Sequence, residues 1–430
     1  KNYVDILSDQ TTWKAIRLTI VFIIGCVGLT MLLGMFYAII MTFKIKGISI
    51  IKALILMPWI IPESVTAYVW KWLFSADTGL IYYILLRLGV ISEGTSFFFN
   101  GNLAMLMVIL ANVWRTAPFV AIMTAVPDSQ IEAAKIDGAS SLQAFAYIKI
   151  PWIMPIVERC IMLLFVWSFN SFSIIYILTN GGPAGDTTTL PYLIRQAGFV
   201  NFNFSRAATL SAVSLLIILF VFGVVRIVFM LAKKIKKKKR FYKVFQYIAL
   251  LCALIIIIFP VYWIIVSSFK VKEDILSYPP KIFPSQFTLS NYITAFQDYN
   301  VLLYLKNSLI VTCATVILTI IIAALAAYAM CFLKMKGARI LNNLLYILQV
   351  LPTITMMVPL MTIYRMMGIQ NTYLSLILTY TAAVSGAPIA LILITGYFQA
   401  IPQELFESAN IDGAGTFKGL YKILLPLGAP

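Results

Sequence analysis

Two polar stretches of one pattern interrupt an otherwise apolar chain: "IEAAKIDGASSLQAFAYIKIP", residues 131–151, and "FESANIDGAGTFKGLYKILLP", residues 406–426. At an offset of 275 residues, both copies hold a glutamate, an Asp-Gly pair and a final proline. Glycine tolerates positive φ, and aspartate bonds nearby backbone N–H groups. The pattern therefore predicts a short helix, a tight turn and a second amphipathic segment, written twice.

The composition of the chain excludes a soluble protein. Its 430 residues are 61% hydrophobic and 11% charged, whereas soluble domains carry about 25% charged residues. Continuous apolar runs longer than roughly 18 residues are typical of membrane-spanning helices. The sequence therefore predicts an all-α transmembrane fold. We expect nine spans, at residues 18–43, 50–74, 103–124, 152–178, 207–232, 245–269, 307–333, 341–364 and 373–398.

The basic residues predict how these spans are oriented. The net charge is +17, and the densest basic run is "KKIKKKKR", residues 233–240. Placing this run in the cytoplasm also puts the short basic loops and both polar stretches inside, as the positive-inside rule requires. The run can attract anionic membrane lipid. Nucleic-acid binding is the other interpretation of a basic chain, but the charges sit at the ends of apolar runs, so we expect no nucleic acid.

The same run is the predicted boundary between two homologous halves. Residues 1–240 hold five spans and residues 241–430 hold four. "ILMPWIIP" and "APFVAIM" in the first half correspond to "QVLPTITMMVP" and "APIALILI" in the second. Because the two halves have the same orientation, we expect a parallel repeat about a pseudo-two-fold axis along the membrane normal.

Several chemistries are absent from the sequence. The chain has no histidine, and its five cysteines show no CxxC spacing. No stretch matches GxxxxGK[ST], so the chain has no phosphate-binding loop of its own. We therefore expect no catalytic residues, no metal and no cofactor in this chain.

The polar stretches resemble the EAA motif of the permeases of binding-protein-dependent ABC importers, in which EAA, two residues, DGA and a later LP follow one another. The first half, with "WRTAPF" and "FNSFSIIYILTNGGP", resembles the larger permease of a maltose-type carbohydrate importer. The second half, with "FPVYWIIVSSFK" and "PPKIFPSQFTLSNY", resembles its smaller partner. The resemblance implies the type I importer permease fold with about twelve spans. The second half is then truncated, and the chain is either a natural fusion or two joined polypeptides.

By this resemblance, the two stretches are coupling helices that dock on an ATPase dimer at the cytoplasmic side. ATP and Mg²⁺ would bind that partner, and an external solute-binding protein would deliver the solute. A plain hairpin between two spans is the other interpretation of each stretch. Ser408 replaces the first alanine of the motif in the second copy. The implied coupling residues are Glu132, Ala133, Ala134, Asp137, Gly138, Ala139, Glu407, Ala409, Asp412, Gly413 and Ala414.

The stretch "FVWSFNSFSIIY", residues 165–176, is the candidate solute path. Sugars are bound by aromatic faces and by amide and hydroxyl partners, and the maltose-type permeases contact sugar at the corresponding stretch. Polar contacts between helices are the alternative. Glu63 and Lys71 lie eight residues apart, so they can share a helix face. The candidate path residues are Glu63, Trp114, Trp167, Ser168, Asn170, Ser171 and Tyr176, of which Trp114 and Tyr176 also fit packing roles.

These observations predict a multi-pass protein of the bacterial cytoplasmic membrane that imports a sugar or oligosaccharide. The alternatives are an importer permease for glycerol phosphate, polyamine or another polar solute, and a secondary transporter that needs no ATPase. A secondary transporter would require ion-coupling carboxylates near the bilayer midplane.

Overall fold

The computed structural model describes residues 2–41, 48–123, 150–232, 258–333, 353–382, 387–398 and 416–419, together with positions 335, 337, 338, 340, 341, 401 and 408. Helices form almost all regular structure in these ranges. An isolated antiparallel bridge joins Lys270 and Phe287. The chain divides into two compact units, Lys1–Ala295 and Phe296–Pro430.

The helices follow one another along the chain in a simple order. They are α1 (Asn2–Leu7), α2 (Gln10–Ile40), α3 (Ile48–Ile60), α4 (Glu63–Leu73), α5 (Leu80–Arg87), α6 (Gly101–Met123), α7 (Ile150–Asn170), α8 (Ser173–Leu178), α9 (Leu190–Arg195), α10 (Phe204–Ala232), α11 (Ile258–Ser268), α12 (Lys272–Ile275), α13 (Ser290–Asp298), α14 (Val301–Cys331), α15 (Thr353–Met366), α16 (Tyr373–Ala382), α17 (Ala387–Phe398) and α18 (Thr416–Gly419). A π-helical turn, Gln196–Val200, follows α9.

Four helices in the described part are long and apolar enough to cross a membrane. They contain Gln10–Ala38, Gly101–Ala121, Phe204–Val221 and Val301–Cys331, and the pair α3 and α4 makes a fifth span if it is counted as one. The predicted helical, membrane-spanning fold is confirmed. The total of nine spans and the boundary at residue 240 stay predictions, because both depend partly on residues outside the described ranges.

Close approach of α2 and α6 forms the centre of the first unit. A β-carbon on Gly34 would lie 2.5 Å from Val120 Cβ and 2.7 Å from the Ala117 carbonyl oxygen. The Thr30 and Thr116 hydroxyls are 3.1 Å apart between the two helices, and both side chains are buried. Small residues and paired hydroxyls at a helix interface are the usual means of association in lipid, where apolar burial gives little preference for protein over lipid.

The second unit is built around α14. Ala323, Ala327 and Tyr328 on this helix pack in one cluster with Leu391 and Phe398 of α17. Many large apolar side chains along the remainder of α14 are exposed. Such an apolar surface fits contact with lipid or with other membrane helices.

Two of the predicted spans in the first unit are interrupted helices. The second predicted span consists of α3 and α4, which are bent by 96° at the break. Pro62 directly precedes α4 and has an extended ψ of 142°. Because proline lacks the backbone N–H that a continuing helix would use, it favours a helix break at this position. The fourth predicted span breaks between α7 and α8 at residues 171 and 172. Hydropathy alone located both spans but did not indicate either break.

Two side chains of α4 join these interrupted spans. Glu63 Oε1 accepts hydrogen bonds from Ser171 Oγ at 2.5 Å and from the Ile174 backbone N–H at 3.3 Å, at the start of α8. Lys71 Nζ donates to the Ile177 carbonyl at 3.1 Å, at the end of α8. The two residues therefore share one face of α4, as the sequence predicted. The Glu63 carboxylate lies at the N-termini of α4 and α8, and the Lys71 ammonium lies at their C-termini. This arrangement is favourable for the dipoles of both helices.

A buried carboxylate organises the loop after α11. Asp274 is 2% exposed and accepts hydrogen bonds from Lys281 Nζ at 2.5 Å and from the Ser285 N–H and hydroxyl at 2.7 Å. These hydrogen bonds lower the pKa of Asp274 to about 2. Lys270 Nζ, also buried, donates to the Lys281 carbonyl at 2.6 Å and lies 3.9 Å from the Trp263 ring centroid.

The contacts of Glu63 yield the first prediction. Glu63→Ala leaves the Ser171 hydroxyl and the Ile174 N–H without their acceptor, at a cost of roughly 1–3 kcal/mol. We expect faster hydrogen exchange at the Ile174 amide and a lower unfolding temperature in detergent. Glu93→Ala, which removes an exposed carboxylate from a loop, is the matched control. Unchanged exchange at Ile174 in Glu63→Ala would show that this carboxylate does not hold α8.

The depressed pKa of Asp274 yields the second prediction. A carboxyl whose pKa is lower in the folded state stabilises the fold above its ordinary value and loses this effect as the pH falls through its folded value. Asp274→Asn should therefore lower the unfolding temperature at pH values above 3.8, and this difference should vanish as the pH approaches 2. Glu273→Gln, at the exposed neighbouring position, serves as control. A difference that persists unchanged down to pH 2 contradicts the assignment.

Candidate functional site

The predicted coupling residues lie outside the described residues. The roles of these residues therefore stay predictions; they are at positions 132–134, 137–139, 407, 409 and 412–414. The first stretch connects the end of α6 at Met123 with the start of α7 at Ile150. In the second stretch the short helix α18 is described.

The stretch predicted to form the solute path, residues 165–176, covers the end of α7 and the part of α8 up to Tyr176. The break between these helices lies within the quoted stretch, directly after Asn170. Helix breaks at membrane depth free backbone groups and are tolerated where protein or a polar cavity satisfies them. The predicted path thus falls at the place where Glu63 joins the second and fourth predicted spans.

Three of the candidate path residues are buried inside the first unit. Trp114 is 2% exposed, with its ring centroid 6.2 Å from that of Trp70. Ser168 is 4% exposed. Ser171 is 5% exposed and donates to Glu63. Each of these side chains has a packing or bonding role within the unit, and Glu63 has one as well.

Trp167, Asn170 and Tyr176 are more accessible. The Trp167 ring centroid lies 4.6 Å from that of Phe119, and the side chain is half-buried. Asn170 is half-buried and donates to the Val166 carbonyl at 3.0 Å. Tyr176 is 39% exposed. These three side chains are therefore the candidates that a passing solute could touch.

An arginine that the sequence reasoning missed lies over this end of the path. The Arg195 guanidinium carbon is 4.3 Å from the Tyr176 ring centroid and 5.5 Å from that of Phe172. Phe172 in turn stacks on Tyr176 at 5.3 Å and on Tyr192 at 6.1 Å. Within the described ranges no carboxylate forms an ion pair with Arg195. The arrangement leaves its N–H groups available to an acceptor while the stacking fixes its plane.

The sequence carried only a faint signal for Arg195. It follows Tyr192 by three residues in "PYLIRQ", a spacing that places both on one helical face. The contacts of this face with Phe172 and Tyr176 form because the loop after α8 folds back onto that helix. A local sequence pattern does not predict such a contact.

Comparison with known proteins bears on this site. The family described as "Binding-protein-dependent transport system inner membrane component" matches residues 30–237 and again residues 319–430, more than half of the chain in total. The trehalose/maltose transport system permease protein MalF of Thermococcus litoralis is 32% identical over 221 residues, which is 50% of this chain and 73% of that protein.

Two relatives come from Agrobacterium fabrum. The sulfoquinovosyl glycerol transport system permease protein SmoH is 35% identical over 188 residues, 44% of this chain and 65% of its own length. The sn-glycerol-3-phosphate transport system permease protein UgpA is 30% identical over 224 residues, 51% of this chain and 75% of its own length. Each relative thus corresponds to about half of this chain. The chain therefore belongs to the family of binding-protein-dependent transport system inner membrane components, and it carries the family's sequence twice.

Proposed function

We propose that this chain forms the translocation pathway of an ABC importer that moves a sugar or oligosaccharide into the cytoplasm. The family and the apolar helices make it a multi-pass protein of the inner membrane. The observation that supports a sugar is the accessible part of the path, where Trp167, Asn170 and Tyr176 offer aromatic faces and an amide. The relative from Thermococcus litoralis carries a trehalose/maltose name.

ATP hydrolysis in separate subunits supplies the driving force in this proposal. The two polar stretches dock on the two halves of an ATPase dimer, which binds ATP and Mg²⁺. Glu132 and Glu407 would each face a basic side chain of that partner, and the neighbouring alanines allow close approach. A solute-binding protein delivers the sugar at the outer face. Closure of the ATPase dimer then moves both stretches together.

A second candidate is import of an anionic polar solute such as glycerol phosphate. Arg195 is the observation that favours it, because a stacked guanidinium suits the planar, bidentate recognition of phosphate, sulfonate or carboxylate. The relatives named for sulfoquinovosyl glycerol and for glycerol phosphate agree with this candidate. A secondary transporter is not favoured, since the family is that of binding-protein-dependent systems.

Reversal of charge tests the coupling role. Glu132→Lys combined with Glu407→Lys should abolish ATPase assembly and sugar uptake, because each lost charge-assisted contact costs about 2 kcal/mol, roughly thirtyfold in association. Gln130→Lys combined with Gln403→Lys is the control, because it places a lysine shortly before each stretch, outside the motif, and leaves both glutamates in place. Co-purification of the ATPase and uptake in proteoliposomes are the measurements. Normal assembly and uptake in the glutamate variant would refute the coupling assignment.

Arg195 separates the two candidate substrates. If the solute is anionic, Arg195→Gln should raise the KM for sn-glycerol-3-phosphate uptake roughly tenfold, the effect of about 1.4 kcal/mol of lost binding. Arg87→Gln is the matched control, because Arg87 also lies over a tyrosine, Tyr83, at 5.3 Å. The anionic candidate would be eliminated if the unsubstituted protein did not take up sn-glycerol-3-phosphate and if Arg195→Gln took up sugar with an unchanged KM.

A further inference from the structure

A polar pocket opens on the side of the first unit that the charge distribution places outside the membrane. Its volume is about 730 Å³, within the range of roughly 300–1,000 Å³ that is usual for ligand sites. Its walls come from the start of α2, the glycine-rich loop after α8, the π-helical turn and the start of α10. None of the candidate path residues lines it.

Two ion pairs fix the walls of this outer pocket. Arg206 pairs with Asp9, and Lys14 pairs with Asp186 at 2.7 Å while donating to the Ala184 carbonyl at 3.0 Å. Burial acts to raise the pKa of Asp9, but hydrogen bonds from Thr11 and Arg206 outweigh it and hold that pKa below its usual range. Segments almost two hundred residues apart in the chain are thereby joined.

Unusual backbone conformations concentrate around the outer pocket. Asn180, Ala184 and Phe202 have φ values of +50°, +46° and +52°, a region that costs a non-glycine residue of order 1 kcal/mol. The π-helical turn Gln196–Val200 supplies part of the wall. Both features are enriched at functional sites. Their coincidence at one pocket is an observation separate from its volume.

The lining of the outer pocket indicates the class of its ligand. Both cations in the wall already pair with carboxylates, so the pocket offers no uncompensated charge. The side-chain oxygen of Asn180 accepts a hydrogen bond from the Tyr192 hydroxyl, and that of Asn203 accepts one from the backbone N–H of Arg206. The NH2 groups of both asparagines remain as donors for a ligand. Neutral amides and hydroxyls bind the OH groups of sugars and polyols. The threonine, asparagine and glutamine residues of the lining are Thr11, Asn180, Thr188, Gln196, Asn201 and Asn203.

We propose that the outer pocket is a binding site for a neutral sugar or short oligosaccharide, occupied before the solute enters the membrane path. This inference rests on the proposed function, since a site for the incoming solute presupposes an importer. It adds a place where hydroxyl groups are held by the amides of Gln196, Asn201 and Asn203, distinct from the path along α7 and α8.

Cysteine labelling tests this site in the complete permease and ATPase complex, reconstituted without the binding protein. Ala184→Cys and, separately, Thr188→Cys place a thiol in the lining without removing the amides that hold the sugar, and a membrane-impermeant maleimide reports its accessibility. Val200→Cys is the matched control, since Val200 is 50% exposed and lies next to the pocket without lining it. The probes are maltotriose and trehalose as neutral sugars and sn-glycerol-3-phosphate as a charged solute, all at millimolar concentration.

The expected result is severalfold slower labelling at positions 184 and 188 with a neutral sugar, no change at position 200, and no protection by sn-glycerol-3-phosphate. The proposal is overturned if neither sugar protects, or if the charged solute protects equally. Uptake by the complex with its binding protein is measured in parallel. Sugar uptake without protection refutes this site alone, whereas protection without uptake of any sugar refutes the proposed function and leaves the site.

Discussion

The polar backbone of a membrane protein must satisfy its hydrogen bonds within the protein, and this constraint is most demanding where a spanning helix stops. The chain meets it at two neighbouring breaks with one carboxylate. Glu63 accepts hydrogen bonds from Ser171 and from the Ile174 N–H at the start of α8. Lys71 donates a hydrogen bond to the Ile177 carbonyl at the end of α8. Since α4 and α8 are joined at both ends and run in the same direction, the bend between α3 and α4 and the break after α7 are held in one geometry.

The predicted solute path lies beside this arrangement. Along residues 165–176, Ser168 and Ser171 are buried, Asn170 is half-buried and Tyr176 is exposed. The stacking of Tyr192, Phe172 and Tyr176 then brings Arg195 over the end of the path. Glu63, which the sequence makes a candidate for solute contact, also accepts hydrogen bonds from Ser171 in the break and from the Ile174 N–H after it.

Much of the architecture was predictable because lipid leaves few options. Continuous apolar runs predicted helices and the approximate positions of those in the described ranges. The orientation predicted from the basic loops stays a prediction. The first span begins at Gln10 rather than Leu18, because α2 extends beyond the apolar run into the outer segment. The 96° bend was not predictable from hydropathy, which averages over Pro58 and Pro62 without recording direction. Arg195 and the outer pocket were equally inaccessible, because both are made by contacts between segments distant in sequence. The coupling residues fall outside the described ranges and remain predictions from the repeated motif.

The central claim is that the two family segments of this chain form a pathway opened by a separate ATPase. Uptake of radiolabelled sugar into proteoliposomes that contain this chain, its ATPase and its binding protein tests the claim most directly. The account predicts accumulation that requires ATP, the ATPase and the binding protein together. Accumulation of the sugar by the chain without the ATPase, driven by an ion gradient, would contradict it.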